Sequence, residues 1–371
     1  MTFSIITHTP HVIKDSSWFA YGPYVREMNI WGNHVDEIIV VAPVSKSEIS
    51  KIHLAYSHST ITVYPIPAIS FTSFFEAIQA IVFIPYIKFQ ILRAMLKADH
   101  IHLRCPGNIG LLGCFIQILF PKKPKTAKYA GNWDPKSKQP WRYRLQKWLL
   151  SNTFLSRNIQ VLVYGAWPGQ SKNIRSFFTA TYPKLKIATH RKRDYTGELN
   201  FLFVGSLAPG KQPLYAVELI EQLNGRGFRC RLDLYGEGAE RHKLETFIEM
   251  NGLKEVVTLH GNESAERIEQ AYQDSHFLIL PSRSEGWPKV VAEAMFWGVI
   301  PVVTRISCVP WMLDHGERGM LLDNRIEIDL ERLQSLIRNE EKLTSMSKKG
   351  QEWSQQYTLD QFEAEITKLL K

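Results

Sequence analysis

The stretch HFLILPSRSEGWPKVVAEAMFWGVIPVVT, His276 to Thr304, constrains the fold more than any other part of the chain. It opens on an apolar run, His276 to Pro281, that suits a strand buried on both faces, since a half-exposed strand would alternate. A polar loop, Ser282 to Trp287, follows and sets the carboxylate Glu285 beside Gly286. Pro288 stands where a helix begins, because its missing N–H and fixed φ suit a first turn. Gly298 fits the left-handed residue that ends such a helix, and a second buried run, Val299 to Thr304, completes a strand–loop–helix–strand unit. In open α/β sheets ligands bind beyond the carboxyl ends of the strands, where this loop would lie. The N–H groups of Lys289, Val290 and Val291 would face that space as an anion site, and phosphate is its commonest occupant.

Two carboxylates flank the site, Glu285 in the loop and Glu293 in the helix. One reading pairs Glu293 with Lys289 on an exposed face, in the weaker Lys-before-Glu order that stabilises by about 0.3 kcal/mol. That pair explains neither the glycine nor the apolar surroundings. The other reading starts from the fact that carboxylates accept hydrogen bonds from hydroxyls: two of them around a phosphate site point to a sugar nucleotide.

Three more turns carry similar chemistry. In FVGSLAPGKQP, Phe203 to Pro213, a strand ends at Gly205, Gly210–Lys211 form a turn, and a helix starts near Pro213. A lysine among backbone N–H groups can grip a diphosphate. Tyr235–Gly236–Glu237–Gly238 and His260–Gly261–Asn262 read first as strand-to-helix turns.

The segment SEGWPKVVAEAM resembles the E-x7-E signature of the family-4 retaining glycosyltransferases of the GT-B fold. The resemblance implies an α/β chain of two Rossmann-like, doubly wound parallel-sheet domains facing across a cleft. Glu285 would contact the donor sugar with the backbone of Gly286, Trp287 and Pro288, and Glu293 would bind the ribose. Gly205, Ser206 and Lys211 would hold the diphosphate together with Lys289 and Val290, and Gly236, Glu237 and Asn262 would line the nucleotide. Trp287 and Lys289 bear on donor choice. The donor would be a UDP- or GDP-linked sugar, with no further cofactor and no metal required. The family usually has G-R-L where Gly205–Ser206–Leu207 stand, so Ser206 removes one positive charge and leaves more to Lys211 and the Pro288 helix start.

The rest of the chain fits two successive βα domains. Strand candidates at Phe3–Thr7, Glu37–Ala42, Thr60–Tyr64, His100–Arg104, Thr126–Ala130 and Gln160–Tyr164 form one set. A loop with His8, His11, Lys14 and Asp15 is expected after the first of them, then a helix at Gly22–Trp31. Asn200–Val204, Cys230–Tyr235, Val256–His260, Phe277–Leu280 and Ile300–Val303 form the second set. The expected join is Pro183–Gly197, between an acceptor-binding domain over 1–193 and a donor-binding domain over 197–355. A final helix, 358–371, would pack back on the first domain, as in similar proteins.

Charge divides the same way. Residues 1–195 carry 25 Lys and Arg against 9 Asp and Glu, a balance of +16; the remainder carries 20 against 27, or −7. The balance points to an anionic partner for the first half, a membrane surface or a lipid phosphate, or else to a merely solvated basic surface; nucleic acid is disfavoured for want of a recognition motif, and the acceptor would be a lipid phosphate or an oligosaccharide. Phe71–Lys97 is the most apolar region, expected to kink or split at Pro85, and fits either a helix packed on the sheet or one lying in a bilayer interface. Basic and aromatic residues in Pro121–Lys128 and Trp141–Trp148 favour the interface. Four cysteines without metal or disulfide spacing, and no signal-peptide pattern, suit a cytoplasmic protein peripheral on the inner face of the membrane.

Family members commonly place a histidine after the strand that corresponds to Thr126–Ala130, where this chain reads KYAGNWDP. Asn132 or Asp134 can position the acceptor in its place, or the segment can be a plain turn closed at Asp134–Pro135. A retaining transfer can use the donor's own phosphate oxygen to take the acceptor proton, so the missing histidine does not remove catalysis. It does keep a second class open: a nucleotide-sugar-binding subunit, or a partner of another transferase. His8, His11, His100 and His102, near strand ends, read as structural.

Overall fold

The computed structural model describes residues 1–45, 48–50, 52–70 and 73–371, in two compact units: Met1–Phe177 with Phe362–Lys371, and Phe178–Gln361. The second unit begins at Phe178, ahead of the segment expected as the join. Tyr182 explains the shift: its ring packs on Phe296 and Trp297, at centroid distances of 4.8 and 5.5 Å, which fixes this stretch to the second unit.

In the first unit the strands are β1 (Thr2–Ile6), β2 (His11–Lys14), β3 (Ser17–Tyr21), β4 (Glu37–Pro43), β5 (His53–Ala55), β6 (Ile61–Ile66), β7 (His100–Cys105), β8 (Lys125–Tyr129), β9 (Ile159–Tyr164) and β10 (Ile174–Phe177). The helices are α1 (Gly22–Gly32), α2 (Phe74–Lys97), α3 (Asn108–Ile116) and α4 (Trp141–Ser151). Seven strands form a parallel sheet in the order β10-β9-β8-β7-β1-β4-β6. Its apolar runs are buried because helices cover it: Ile87, Ile91, Ala94 and Met95 of α2 share a core with Ile39, Val41, Ile101 and Leu103.

Four features depart from the sequence reading. The loop after β1 is a hairpin, β2–β3, turning at Asp15–Ser16, whose φ values of 47° and 62° match a tight two-residue turn that Asn-Gly would have announced. The small antiparallel sheet β2-β3-β5 follows from it. β8, expected at Thr126–Ala130, starts at Lys125, a residue early, and is fully buried despite its two lysines. The Lys125 ammonium donates to the Phe120 carbonyl at 2.5 Å, and that of Lys128 sits 4.8 and 4.6 Å from the Tyr164 and Phe177 rings. Finally, α2 runs as one helix through Pro85. Pro85 and Ile81, whose carbonyl loses its helical donor, are both on the exposed side, so the lost bond costs little. Residues 71–72 of that apolar region lie outside the described residues.

The second unit contains β11 (Leu199–Val204), β12 (Cys230–Tyr235), β13 (Val257–Gly261), β14 (Phe277–Leu280), β15 (Ile300–Thr304) and β16 (Met320–Leu322). Its helices are α5 (Pro213–Gly225), α6 (Arg241–Met250), α7 (Ala265–Asp274), α8 (Lys289–Phe296), α9 (Val309–Met312), α10 (Ile326–Ile337) and α11 (Glu340–Ser354). The sheet is wholly parallel in the order β13-β12-β11-β14-β15-β16. The last helix, α12 (Leu359–Leu370), belongs to the first unit from Phe362 onward, with Lys371 after it. There Phe362 packs on Phe177 at 5.5 Å, His34 meets Glu363 at 3.0 Å and Arg175 meets Glu365 at 3.4 Å.

Candidate active site

In the second unit the chain builds outward from β11 through β12 and β13, then returns to place β14 on the other side of β11 and continues through β15 and β16. Strand order therefore reverses between β11 and β14, and the crevice beyond the carboxyl ends of such a pair is where open α/β sheets bind ligands. The two loops that leave those strands are Gly205–Gln212 and Pro281–Pro288. They are tied by the Arg283 N–H donating to the Gly210 carbonyl at 2.8 Å. At the same place the Lys211 ammonium meets the Glu285 carboxylate at 2.5 Å, with side chains 29% and 10% exposed. Two residues expected at the site from separate stretches of sequence, Lys211 and Glu285, thus touch.

Neighbouring loops are locked to this pair through backbone. Gly205 N donates to the Tyr235 carbonyl at 3.0 Å, Leu207 N to Glu237 at 2.9 Å, and Gly236 N to Gly261 at 2.7 Å. Gly236 must be glycine: a Cβ there would lie 1.9 Å from the Gly205 carbonyl oxygen, at a φ of +139°. Ser206 and Asn262 are exposed at this rim. Glu237 is exposed too, but its carboxylate pairs with Arg241 at 2.5 Å.

The helix α8 is placed as expected, with one refinement: Pro288 occupies the position before the helix, and Lys289 is its first residue. Of the three N–H groups expected to face a ligand, that of Val291 is taken, donating to the Pro288 carbonyl at 2.9 Å, while the positive end of the helix dipole still lies at the loop. The helix closes at Gly298, φ +72°, with Gly298 N donating to Met295 and Val299 N to Ala294, both at 2.9 Å. This is a Schellman turn. The Gly286 carbonyl accepts from Ser307 Oγ at 3.2 Å and Cys308 Sγ at 3.1 Å, and burial holds the Cys308 thiol up at about 12, so it stays a donor. Trp287 turns inward: it is 7% exposed and packs 6.2–6.3 Å from Trp311, Trp353 and Tyr357. Any contact it makes with a donor would therefore come through its backbone.

Glu293 accepts hydrogen bonds from the hydroxyls of Thr181, 2.6 Å, and Tyr272, 3.1 Å. Burial, then the adjoining Glu293, raises the Tyr272 pKa well above its usual value, so the phenol remains protonated and donating. Two hydroxyls on one carboxylate is the arrangement that a ribose diol would also satisfy. Thr181, Tyr272, Ser307 and Cys308 were not legible in sequence, since each reaches the site from a distant segment without a local pattern.

In the first unit strand order reverses between β1 and β7. Beyond those strands lies a cavity of about 240 Å³ lined by His8, Pro43, Ile69, Gly107, Asn108 and Tyr143 among others. The His8 ring is accessible at its rim yet crowded by surrounding atoms. That crowding first, and the Arg104 charge second, lower its pKa, so it is neutral near pH 7. Asn132 and Asp134 do not line this cavity. Asn132 Oδ1 accepts from Asp134 N and Asp134 Oδ1 from Lys136 N, both at 2.8 Å, which makes consecutive side-chain-closed turns. Among the described residues no cluster of three or more His, Cys, Asp or Glu is arranged to hold a metal ion.

Residues 188–353 match the family described as glycosyl transferases group 1. An uncharacterized glycosyltransferase of Methanocaldococcus jannaschii is 29% identical over 164 residues, covering 44% of this chain and 45% of the relative. A putative colanic acid biosynthesis glycosyltransferase of Salmonella typhimurium is 29% identical over 141 residues, covering 36% and 35%. The chain thus spans less than half the length of these curated relatives. The crystal structure of Anabaena HepE in complex with UDP matches with a TM-score of 0.70 at 13% identity, over 100% of this chain and 98% of that one. The fold is the two-sheet α/β architecture of GT-B glycosyltransferases.

Proposed function

We propose that the chain is a family-4, E-x7-E retaining glycosyltransferase that moves a sugar from a nucleoside diphosphate sugar, UDP- or GDP-linked, to a lipid-linked or oligosaccharide acceptor. The observation that carries the proposal is the Lys211–Glu285 contact at the strand-order reversal of the second unit. Lys211 and the start of α8 would stabilise the negative charge that builds on the departing diphosphate, without calling on a metal. Glu285 would orient the sugar and Glu293 the ribose. In the transfer, the bond from the anomeric carbon to the diphosphate oxygen breaks and a bond to the acceptor hydroxyl oxygen forms on the same face. The acceptor's proton passes to the departing phosphate oxygen, so no enzyme base is consumed. The cavity at His8, Asn108 and Tyr143 is the acceptor site in this reading.

Calorimetric titration with a panel of UDP and GDP sugars tests the donor half. Glu293→Gln retains an acceptor for Tyr272, so the melting temperature should hold while nucleotide-sugar binding drops at least about tenfold, the loss of one charge-assisted bond to a ribose hydroxyl. Unchanged binding would remove Glu293 from the site. A second reading, a nucleotide-sugar-binding subunit without turnover, is favoured by Ser206 and by the closed turns at Asn132 and Asp134. Donor hydrolysis or transfer by the pure protein would sink it.

A further inference from the structure

The longest helix of the first unit, α2, has two apolar faces, and only one of them is used by the fold. Ala80, Ile87, Ile91, Ala94 and Met95 face inward and are buried. On the opposite side Phe75, Ile78, Val82, Phe89 and Leu96 recur at intervals of three, four, seven and seven residues, which aligns them in one stripe, with Ile81 beside it. These six side chains are 47–78% exposed. A continuous exposed apolar stripe over most of a 24-residue helix is not the scatter of single apolar residues found on ordinary surfaces.

Ile78–Lys97 is long and apolar enough to cross a bilayer by length and composition alone. Its inner face forbids that here, because it is part of the sheet's core. The C-terminal end is also clamped: the Lys123 ammonium donates to the carbonyls of Met95, Leu96 and Ala98 at 2.9, 2.8 and 2.6 Å. The helix is therefore held along the surface of the unit, and its outer stripe can enter a bilayer only sideways.

We propose that this stripe is a docking surface for an anionic lipid bilayer, in which α2 lies flat at the headgroup–acyl boundary. Charge selects the occupant. Between residues 74 and 97 the charged residues are Glu76, Lys88, Arg93 and Lys97, and the three cations are exposed. They belong to the half of the chain with a balance of +16. A second copy of the same helix would bring cations to cations, whereas anionic headgroups would meet them with opposite charge. Arg93 also lies over the Tyr64 ring at 4.5 Å, which keeps its guanidinium beside the stripe. The proposal does not depend on the donor chemistry of the second unit.

Co-sedimentation of the full chain with phosphatidylglycerol-rich vesicles, against pure phosphatidylcholine vesicles, tests the proposal. Binding to the anionic vesicles should be stronger and should weaken as salt is raised. Val82→Asp/Phe89→Asp should reduce it about tenfold or more, since two apolar anchors become charges. Lys88→Glu/Lys97→Glu, which leaves the apolar stripe intact, should reduce it about tenfold on anionic vesicles and little on neutral ones. Melting curves should be unchanged for both variants; if the first fails to fold, the second decides. No binding to anionic vesicles at low salt would overturn the proposal, as would binding that neither variant weakens. A wild-type dimer in sedimentation velocity that Val82→Asp/Phe89→Asp turns into a monomer would also overturn it, in favour of a protein occupant.

Discussion

Two sets of polar loop residues, one in each unit, were candidates for chemistry from sequence, the second on a motif and the first only in place of a missing histidine, and they differ in where their hydrogen bonds go. Asn132 and Asp134 spend their carboxyl and amide oxygens on the backbone two residues ahead. Lys211 and Glu285 meet each other across loops that leave two different strands, at the reversal of strand order. A side chain that closes its own turn is committed to local structure, whereas one held between loops by a partner that a ligand can replace is available. Proximity to a strand's carboxyl end does not separate the two cases; the destination of each hydrogen bond does.

The largest expected difference between the units is in acid. Burial, offset in part at His11 by its bond to the Thr9 carbonyl, lowers His11 to about 4, and burial alone does the same to His100. His102 is pushed well below its usual value, again chiefly by burial. Because the folded pKa lies below the unfolded value near 6.5, the unfolded chain binds the proton more readily. The contribution is present above that value and is lost as pH falls from there through about 4. For His11 and His100 the loss is on the order of 3 kcal/mol each by pH 4. Hydrogen exchange followed from pH 7 to 4 should show amides of β1, β7 and β8 opening before those of β11 and β14. Simultaneous opening would mean that these histidines do not set the acid response.

Next in size is Gly236→Ala. With the Gly205 carbonyl in the way of the new Cβ, the loops after β11 and β12 must part. A loss of about 3 kcal/mol is expected, a fall in melting temperature of about 6–12 °C for a unit of this size. Donor binding should fall with it. A variant that melts normally and binds donor would show that these loops are not the rigid side of the comparison.

Lys211→Met comes third, with donor turnover falling about 100-fold, or about 2.7 kcal/mol. The single change also strands Glu285, a side chain only 10% exposed. Lys211→Met/Glu285→Gln should therefore regain melting temperature without regaining turnover. If the double variant recovers turnover, the pair is structural, as the turns of the first unit are.

Much of this contrast was legible in the sequence because parallel strands buried on both faces read as apolar runs, and eleven of the observed strands overlap an expected run to within a residue or two at either end. β10 and β16 were missed because edge strands of four and three residues carry too few apolar positions to stand out. The β2–β3 hairpin was missed because Asp15–Ser16 is an uncommon pair for a left-handed turn. On the donor side, Glu285, Gly286, Lys211 and Glu293 were legible because they sit in one motif or at one strand end. Thr181 and Tyr272, which hold Glu293, lie on remote segments, and only folding brings their hydroxyls to it.

The smallest effect is the one that isolates the principle. Asn132→Ala and Asp134→Ala should each cost about 1 kcal/mol, the value of one local turn bond. Donor affinity should not change, and turnover should stay within about threefold, because neither side chain lines the cavity at His8. Chemical denaturation and initial rates on the same preparations check both quantities. A turnover loss of about 100-fold at unchanged stability would mean that these turns open during the reaction. Committed and available side chains would then differ by state and not by position.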